Sequence, residues 1–314
     1  MSDPVEYLVA DIGGTRLRAA RAGLDGLRSD PVVLRNDGHD GILAALEATG
    51  LMSPAPAAIC LAVAGPVGCG PDGAWIRMTN RPWSLTEAQV KARIPGADVM
   101  FLNDLQAIGH VLDTPGPLDV ILPGEPVAGA PRLVVNAGTG VNAAVNHPGP
   151  HGALVPPSES GFLGPDFAGM EDWRACLVED HGHAFADIAL SGRGMSAAWR
   201  SLTGTPRPPE DITAAAAAGE ADARAAMTLY WRLMGRYCRD LVLVHMATGG
   251  LYFHGSAVAA ALRAFDADAF GEAFAATGAY APMLRRIPVR AMRDDLSPLR
   301  GAANALAARV AAIG

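Results

Sequence analysis

The rhythm of apolar and polar positions changes several times along this chain, and each change marks an element. Leu8–Ile12 (LVADI) is a short apolar run that reads as a strand. Leu17–Gly23 (LRAARAG) reads as its hairpin return across Gly13-Gly14-Thr15. Residues 31–36 (PVVLRN) predict a further strand, and residues 40–50 (DGILAALEATG) an amphipathic helix that stops at Gly50. The run AAICLAVAG, closed by Pro66, is apolar throughout, as a strand buried on both faces would be. Trp75–Met78 predicts a short strand. The segment LTEAQVKARI predicts a helix capped by Ser84, with Glu87 three residues on. DVMFLND is another buried strand, ending in Asn103-Asp104, and QAIGHVL begins a helix.

A second cycle starts near residue 132. RLVVNAGTGVNAAVN repeats the first hairpin's logic of apolar strand, Gly-Thr-Gly turn and small-residue strand, so Asp11–Arg18 and Asn136–Val145 read as a weak internal duplication. Helical patterning follows over 170–180, 194–202, 211–219 and 221–248. The last stretch places Leu229, Leu233, Tyr237, Leu241 and Val244 on one face. GLYFHGSAV is a strand running into a glycine turn, IPVRAM a late strand, and 298–313 a closing helix. Alternating strands and helices predict an α/β chain of mixed sheet and flanking helices.

Composition narrows the function classes. The chain has 314 residues, half of them hydrophobic, which suits one large or two medium globular domains. No apolar run reaches the roughly 18 residues of a membrane span, and the N-terminus lacks a signal pattern, so no membrane partner and a cytoplasmic location are expected. A net charge of −7 argues against nucleic acid as a partner. Cys60, Cys69, Cys176 and Cys238 form no CxxC pair, which disfavours zinc and a disulfide framework. Lys91 is the sole lysine and lies in a helical segment without a glycine loop. A Walker A loop and a protein-kinase strand lysine are therefore both excluded.

What remains for phosphate is backbone. Gly13-Gly14-Thr15, Gly138-Thr139-Gly140 and the turn at Gly255 offer N–H groups and hydroxyls that bind phosphate without lysine. Asp11, on a strand end, sits where it could hold a metal ion's water; an ordinary hairpin turn with a buried-end aspartate is the alternative. Asn103-Asp104 ends a buried strand, where a carboxylate can take a proton from an attacking alcohol. The same pair is also a good helix cap. Glu159, in PPSESGF, could accept a pair of sugar hydroxyls, or be a solvated loop charge.

In order, these motifs resemble those of the bacterial glucokinase family. The quoted pieces are DIGGTRLRAA, AVAGPVG with IRMTNRPWSL, FLNDLQAIGHVL, NAGTGVNAAV, PSESGF, DIALSGRGM and GLYFHGSAV, which together run nearly the full length. The resemblance implies a two-domain α/β fold of the actin-like ATPase (ribonuclease H-like) type with an interdomain cleft. The small domain would hold residues 1–107 and 297–314, and the large one 108–296. It implies ATP- and Mg²⁺-dependent phosphorylation of a hexose 6-hydroxyl, closure that excludes water, and a homodimer. Carried over residue by residue, Asp104 is the general base. Asn80, Asn103, Asp104, Glu159, Phe162 and Asp187 line the sugar. Asp11 orients Mg²⁺ through water. Gly13, Gly14, Thr15, Gly138, Thr139, Gly140, Gly255 and Ser256 hold the nucleotide.

The chain departs from the family pattern at four places. Phe162 stands where a sugar-binding His is usual, Asp187 replaces a Glu, Ser256 replaces the second Gly of the adenosine turn, and Asn142 replaces a Gly. An apolar ring cannot pair with the hydroxyls a His would bind. The resemblance thus leaves three outcomes: a glucokinase, a kinase for a sugar that differs near C1 and C2, or a catalytically impaired relative that senses sugar or nucleotide. The absence of a CxCGxxGC zinc pattern argues against the sister family of repressors and sugar kinases. The acidic charge and the lack of an N-terminal helix-turn-helix argue against a DNA-binding repressor.

Overall fold

The computed structural model describes residues 6–276 and 278–313. By its contacts the chain divides into two α/β units. The first comprises the residues up to Gly116, Pro148–Pro157, and those from Asp294 on; the second comprises Pro117–His147 and Ser158–Arg293.

The first unit is built on β1 (Tyr7–Ile12), β2 (Arg16–Gly23), β3 (Gly26–Leu27), β4 (Val32–Arg35), β5 (Ala58–Val63) and β9 (Asp98–Asn103). These form a sheet of order β3-β2-β1-β5-β9, with β4 on β2. All six residues of β5 are buried, as a central parallel strand covered on both faces requires. The strand runs parallel to both β1 and β9, in a register that brings Ile12, Val63 and Asn103 level. A smaller antiparallel sheet joins β6 (Val67–Gly70), β7 (Gly73–Arg77) and β8 (Ser84–Thr86). Helices α1 (Ile42–Ala48), α2 (Glu87–Arg93) and α3 (Asp104–Val111) flank these sheets. The C-terminal helix Ser297–Ile313 belongs here as well. Its Leu299, Ala302, Ala303 and Leu306 pack against Val9, Cys60 and Leu102.

The α2 cap differs from its sequence expectation. Ser84 pairs with Arg77 in the β7–β8 ladder and is committed to a strand. Thr86 caps instead: its hydroxyl accepts the Gln89 N–H at 3.3 Å, and the Gln89 side chain accepts the Thr86 N–H at 2.9 Å. The capping box thus exists two residues later, with Gln where Glu was expected.

The second unit repeats the central pattern. Strands β11 (Arg132–Ala137) and β12 (Val141–Asn146) form a hairpin, and β13 (Leu251–His254) lies parallel to β11. Beyond it come β14 (Val289–Met292) and the edge strand β10 (Leu118–Leu122). Sequence patterning gave no sign of β10, whose residues are only half buried except for exposed Val120. The helices are α4 (Glu171–His181), α5 (Ala186–Ala189), α6 (Gly192–Thr203), α7 (Pro209–Ala218), α8 (Ala221–His245), α9 (Ser256–Ala261), α10 (Ala267–Phe274) and α11 (Ala281–Leu284). Helix α8 is the spine. Trp231, fully buried, meets Phe253, Phe265 and Phe270 edge-on, and its Nε1 donates to Ala264 O at 3.1 Å. Truncating such a residue to alanine typically costs about 3–5 kcal/mol. The helix ends at His245, not near residue 248, because Met246 turns to φ 48°. The apolar stripe stops sooner still: Leu233, Tyr237 and Leu241 are buried, whereas Val244 is exposed.

Candidate active site

In the first unit the aligned carboxyl ends of β1, β5 and β9 carry the polar groups. Such strand ends are where ligands bind in α/β sheets. Asp11 sits one residue before the end of β1. Across the hairpin Arg18 is its register partner, with Nη1 3.6 Å from Oδ2. Burial raises the Asp11 pKa to about 6. The Arg18 charge opposes this rise and the Asp104 charge adds to it. Asp11 and Asp104 are thus two carboxylates within electrostatic reach, separated by two strand spacings, roughly 10 Å of sheet.

Asn103 and Asp104 hold a double position. Asn103 is the N-cap of α3: its Oδ1 accepts the Leu105 N–H at 2.9 Å, and its own N–H donates to the Gln106 side chain at 3.1 Å. Asn103 Nδ2 also donates to Gly65 O at 3.1 Å. Asp104 is the first helical residue, and its Oδ1 accepts the Leu105 N–H at 2.9 Å. The capping alternative raised by the sequence is therefore real for Asn103. It also fixes the direction of Asp104 at the strand–helix junction.

The turn Gly13-Gly14-Thr15 is braced from behind. Asn36, fully buried, donates its Nδ2 to Gly13 O at 2.7 Å, and its N–H to Thr15 O at 2.9 Å. Arg81 donates Nε to Gly14 O at 2.5 Å and Nη2 to Asp37 Oδ1 at 2.6 Å, with its guanidinium 5.3 Å above the Trp83 ring. Asn80 lies against Gly14 so closely that a Cβ there would come within 2.0 Å of its Nδ2.

In the second unit the turn Gly138-Thr139-Gly140 is held by charged side chains. Asp187, in α5, accepts the Val141 N–H at 3.0 Å, and Arg193, in α6, donates to Thr139 O at 2.9 Å. The two charges lie 3.5 Å apart. A Cβ on Gly140 would come within 2.1 Å of Asp187 Oδ1. The Asp187 carboxylate is thus engaged on this turn.

Behind the turn, Asn142 organises Glu159. Its Nδ2 donates to Ser158 O at 2.8 Å and to Glu159 Oε2 at 3.1 Å, while its Oδ1 accepts from Ser160 Oγ at 3.0 Å. Ser160 Oγ in turn accepts the buried Tyr237 hydroxyl at 2.9 Å. Partial burial and the nearby Asp187 charge raise the Glu159 pKa. Glu159 precedes a one-turn 3₁₀ helix, Ser160–Phe162, and its carbonyl accepts the Phe162 N–H at 3.1 Å. The Phe162 ring is 63 % exposed. It meets Phe185 edge-on at 6.1 Å, and Phe185 stacks on His183 at 4.5 Å.

A cavity of about 1350 Å³ opens in this unit. Gly138, Thr139, Gly140, Asp187, Arg193 and Ser256 are among its lining residues. Gly255 follows β13 at φ 103°, and a Cβ there would come within 2.4 Å of Ala137 O. Its neighbour His254 contacts Asn136 Oδ1 through Nδ1 at 2.9 Å.

The donor sets fit the implied ligands. Asp11 is an oxygen donor whose ionised form is disfavoured by burial and a second carboxylate, so a hard divalent cation such as Mg²⁺ would stabilise it. The cavity in the second unit exceeds the usual volume of small-ligand sites and has room for a nucleotide. At Gly138 a Cβ would meet nothing closer than Ser256 Oγ at 3.9 Å, so space lies open over that turn. Among the described residues there is no cluster of three or more His, Cys, Asp or Glu side chains that could hold a metal ion.

The structure gathers Asp11, Gly13, Gly14, Thr15, Asn80, Asn103 and Asp104 in the first unit. It gathers Gly138, Thr139, Gly140, Glu159, Phe162, Asp187, Gly255 and Ser256 in the second. Sequence reasoning missed Asn36, Asp37, Arg81 and Arg193. Arg81 and Arg193 left a trace, as basic residues inside the quoted IRMTNRPWSL and DIALSGRGM segments.

The sequence matches the Glucokinase family over residues 8–309. It is 30 % identical over 262 residues to the glucokinase of Salmonella arizonae, an alignment covering 77 % of this chain and 78 % of that one. It is 31 % identical over 256 residues, with the same coverage, to the glucokinase of Pectobacterium atrosepticum. Among solved structures, a glucokinase from an Antarctic psychrotroph superposes with a TM-score of 0.83 at 23 % identity, covering 96 % of this chain and 98 % of that one. The ROK hexokinase of Thermus thermophilus superposes with a TM-score of 0.66 at 20 % identity, covering 95 % and 97 %.

Proposed function

The chain belongs to the glucokinase family, has the actin-like ATPase fold and is a sugar kinase using ATP, and on that premise we propose that it transfers the γ-phosphoryl group to the 6-hydroxyl of glucose. The observation that carries this reading is that Asp11, one residue before the end of β1, and Asp104, just past the end of β9, lie close enough for their charges to act on each other. One carboxylate would face a cation and the other an alcohol.

In this reading Asp104 accepts the 6-hydroxyl proton as that oxygen bonds to the γ-phosphorus. The bond to the bridging oxygen breaks, giving glucose 6-phosphate, ADP and a proton. Asn103, its carbonyl spent on the cap, offers its remaining amide hydrogen to a sugar hydroxyl, and Asn80 lies beside Gly14 to bound the same space. Glu159, steadied by Asn142, accepts sugar hydroxyls. Asp187, taken from the resemblance as a sugar ligand, acts in this reading through the phosphate turn it holds. The backbone of Gly13, Gly14 and Thr15, and that of Gly138, Thr139 and Gly140, cradles phosphates; Gly255 and Ser256 bound the nucleoside. Asp11 would hold Mg²⁺ through water, and the ion when bound neutralises charge on the β- and γ-phosphates.

A second reading has its own observation. Exposed Phe162, close to Glu159 in the chain, meets exposed Phe185 edge-on, with the half-buried His183 ring stacked on Phe185. Those rings favour a sugar with fewer or blocked hydroxyls.

Both readings are tested by a coupled ADP-release assay with Mg·ATP against glucose, 2-deoxyglucose and other hexoses. Wild type, Asp104→Asn and Phe162→His are compared. Glucose-dependent turnover that falls at least about 10³-fold in Asp104→Asn supports the glucokinase reading. A better KM for 2-deoxyglucose than for glucose, inverted by Phe162→His, selects the second. Turnover with no hexose overturns both.

A further inference from the structure

Two consecutive peptide groups of the first turn are tied by their carbonyls: Gly13 O to Asn36 Nδ2, and Gly14 O to Arg81 Nε. In a trans peptide C=O and N–H point opposite ways. Those two bonds therefore also set where the Gly14 and Thr15 N–H groups point, which is away from Asn36 and Arg81. Neither N–H meets an acceptor among the described residues. Adjacent free backbone N–H groups in a glycine turn make an anion site.

The guanidinium that does this has no slack. Nη2 is bound to Asp37, which also faces Arg35 at 3.6 Å, and the plane lies over Trp83. A full positive charge on Gly14 O polarises the Gly14–Thr15 peptide and strengthens Thr15 N–H as a donor. The chain's sole lysine is bound to Glu87 on α2, so it supplies no ammonium at this turn.

We propose that Arg81 is a positioning residue for the phosphoryl donor. Held by Asp37 and Trp83, it presets the Gly14 and Thr15 N–H groups for a phosphate of a nucleoside triphosphate. The proposal rests on the kinase reading for the identity of the ligand but not on the identity of the sugar. It differs from a merely structural role in being selective. Loss of the brace should weaken ligands that carry phosphates and spare those that do not.

The test is calorimetric titration of the full chain with Mg·ATP and, separately, with adenosine. Wild type, Arg81→Gln, Arg81→Lys and Asp37→Asn are compared, with melting temperatures alongside. Arg81→Gln is expected to weaken ATP about tenfold or more while adenosine stays within twofold. Asp37→Asn should give a smaller loss of the same selective kind. Arg81→Lys keeps the charge but cannot donate to Gly14 O and Asp37 in the same fork, so it should recover only part of the loss. Equal weakening of ATP and adenosine, or an unchanged ATP affinity in a folded Arg81→Gln protein, overturns the proposal. If Arg81→Gln fails to fold, Arg81→Lys and Asp37→Asn carry the same comparison. A wild type that binds ATP but phosphorylates no hexose sinks the glucokinase reading and leaves this one standing on its own result.

Discussion

The two units carry the same hairpin and use it differently. In each, an antiparallel pair turns at glycine and threonine and lies beside a parallel strand: β1–β2 beside β5, and β11–β12 beside β13. Two residues before the first turn glycine stands Asp11 in one unit and Asn136 in the other. Asp11 is a buried carboxylate near a second carboxylate, with a pKa raised to about 6. Asn136 is neutral and bonded to His254. The turns are also held differently, the first by Arg81 and Asn36 on its carbonyls, the second by Asp187 on an N–H and Arg193 on a carbonyl. A repeated hairpin thus offers one strand end with a carboxylate suited to a cation and one with a neutral amide. The lesson is that topology sets where a ligand can rest, and one atom on the strand end sets what charge it must bring.

The comparison breaks most visibly at that atom. Asp11→Asn should lower kcat by roughly 10²–10³-fold, the usual scale of a lost electrostatic contact in an active site. Asn136→Asp should lower it less than about tenfold. Steady-state kinetics at saturating ATP and sugar decide, and equal losses would mean the two ends are interchangeable.

A smaller effect is expected at the glycine after each parallel strand. Gly255 has φ 103° and a backbone oxygen 2.4 Å from where a Cβ would sit. Gly65 has only the crowding, with Arg77 O at 2.1 Å. Gly255→Ala should destabilise by about 3 kcal/mol, from strain and clash together, and Gly65→Ala by less. Urea denaturation gives the order, and a reversed order would show that crowding outweighs backbone strain.

The smallest effect lies in each unit's shielded histidine. Burial lowers the His110 pKa to about 4, whereas His245, lowered by burial and by His147, is less enclosed. The unfolded chain protonates His110 near pH 6.5 and the folded one only near 4. Its contribution is therefore complete above about pH 6.5 and lost as pH falls toward 4, roughly 2 kcal/mol of it by pH 5. The difference in unfolding free energy between wild type and His110→Gln should shrink by that amount from pH 7.5 to pH 5. Asp11, whose raised pKa acts with the opposite sign, is common to both proteins and drops out. A difference that is flat with pH would place the His110 ring in water.

Much of the fold was legible because its signals are local. Gly13-Gly14-Thr15, the all-buried β5 and the α8 stripe each declare themselves within a few residues. Local signals also explain the errors. Ser84 has the chemistry of a cap, but its pairing with Arg77 is set by a strand seven residues back. The site was legible in its glycines and carboxylates and illegible in what holds them. Arg81 reaches a carbonyl 67 positions away, and Asp187 an N–H 46 positions away. Asn142 looked like a lost glycine, yet its side chain is the hub that steadies Glu159. Nothing local distinguishes an arginine that will brace a turn from one that will face solvent.

The C-terminal helix gives the chain an unusual calendar. The first unit's sheet starts with β1, but its core lacks Leu299, Ala302, Ala303 and Leu306 until that distant segment is made. The second unit opens and closes wholly within that interval. On a growing chain the unit that starts first is completed last, and its early strands must stay soluble while some two hundred later residues arrange themselves.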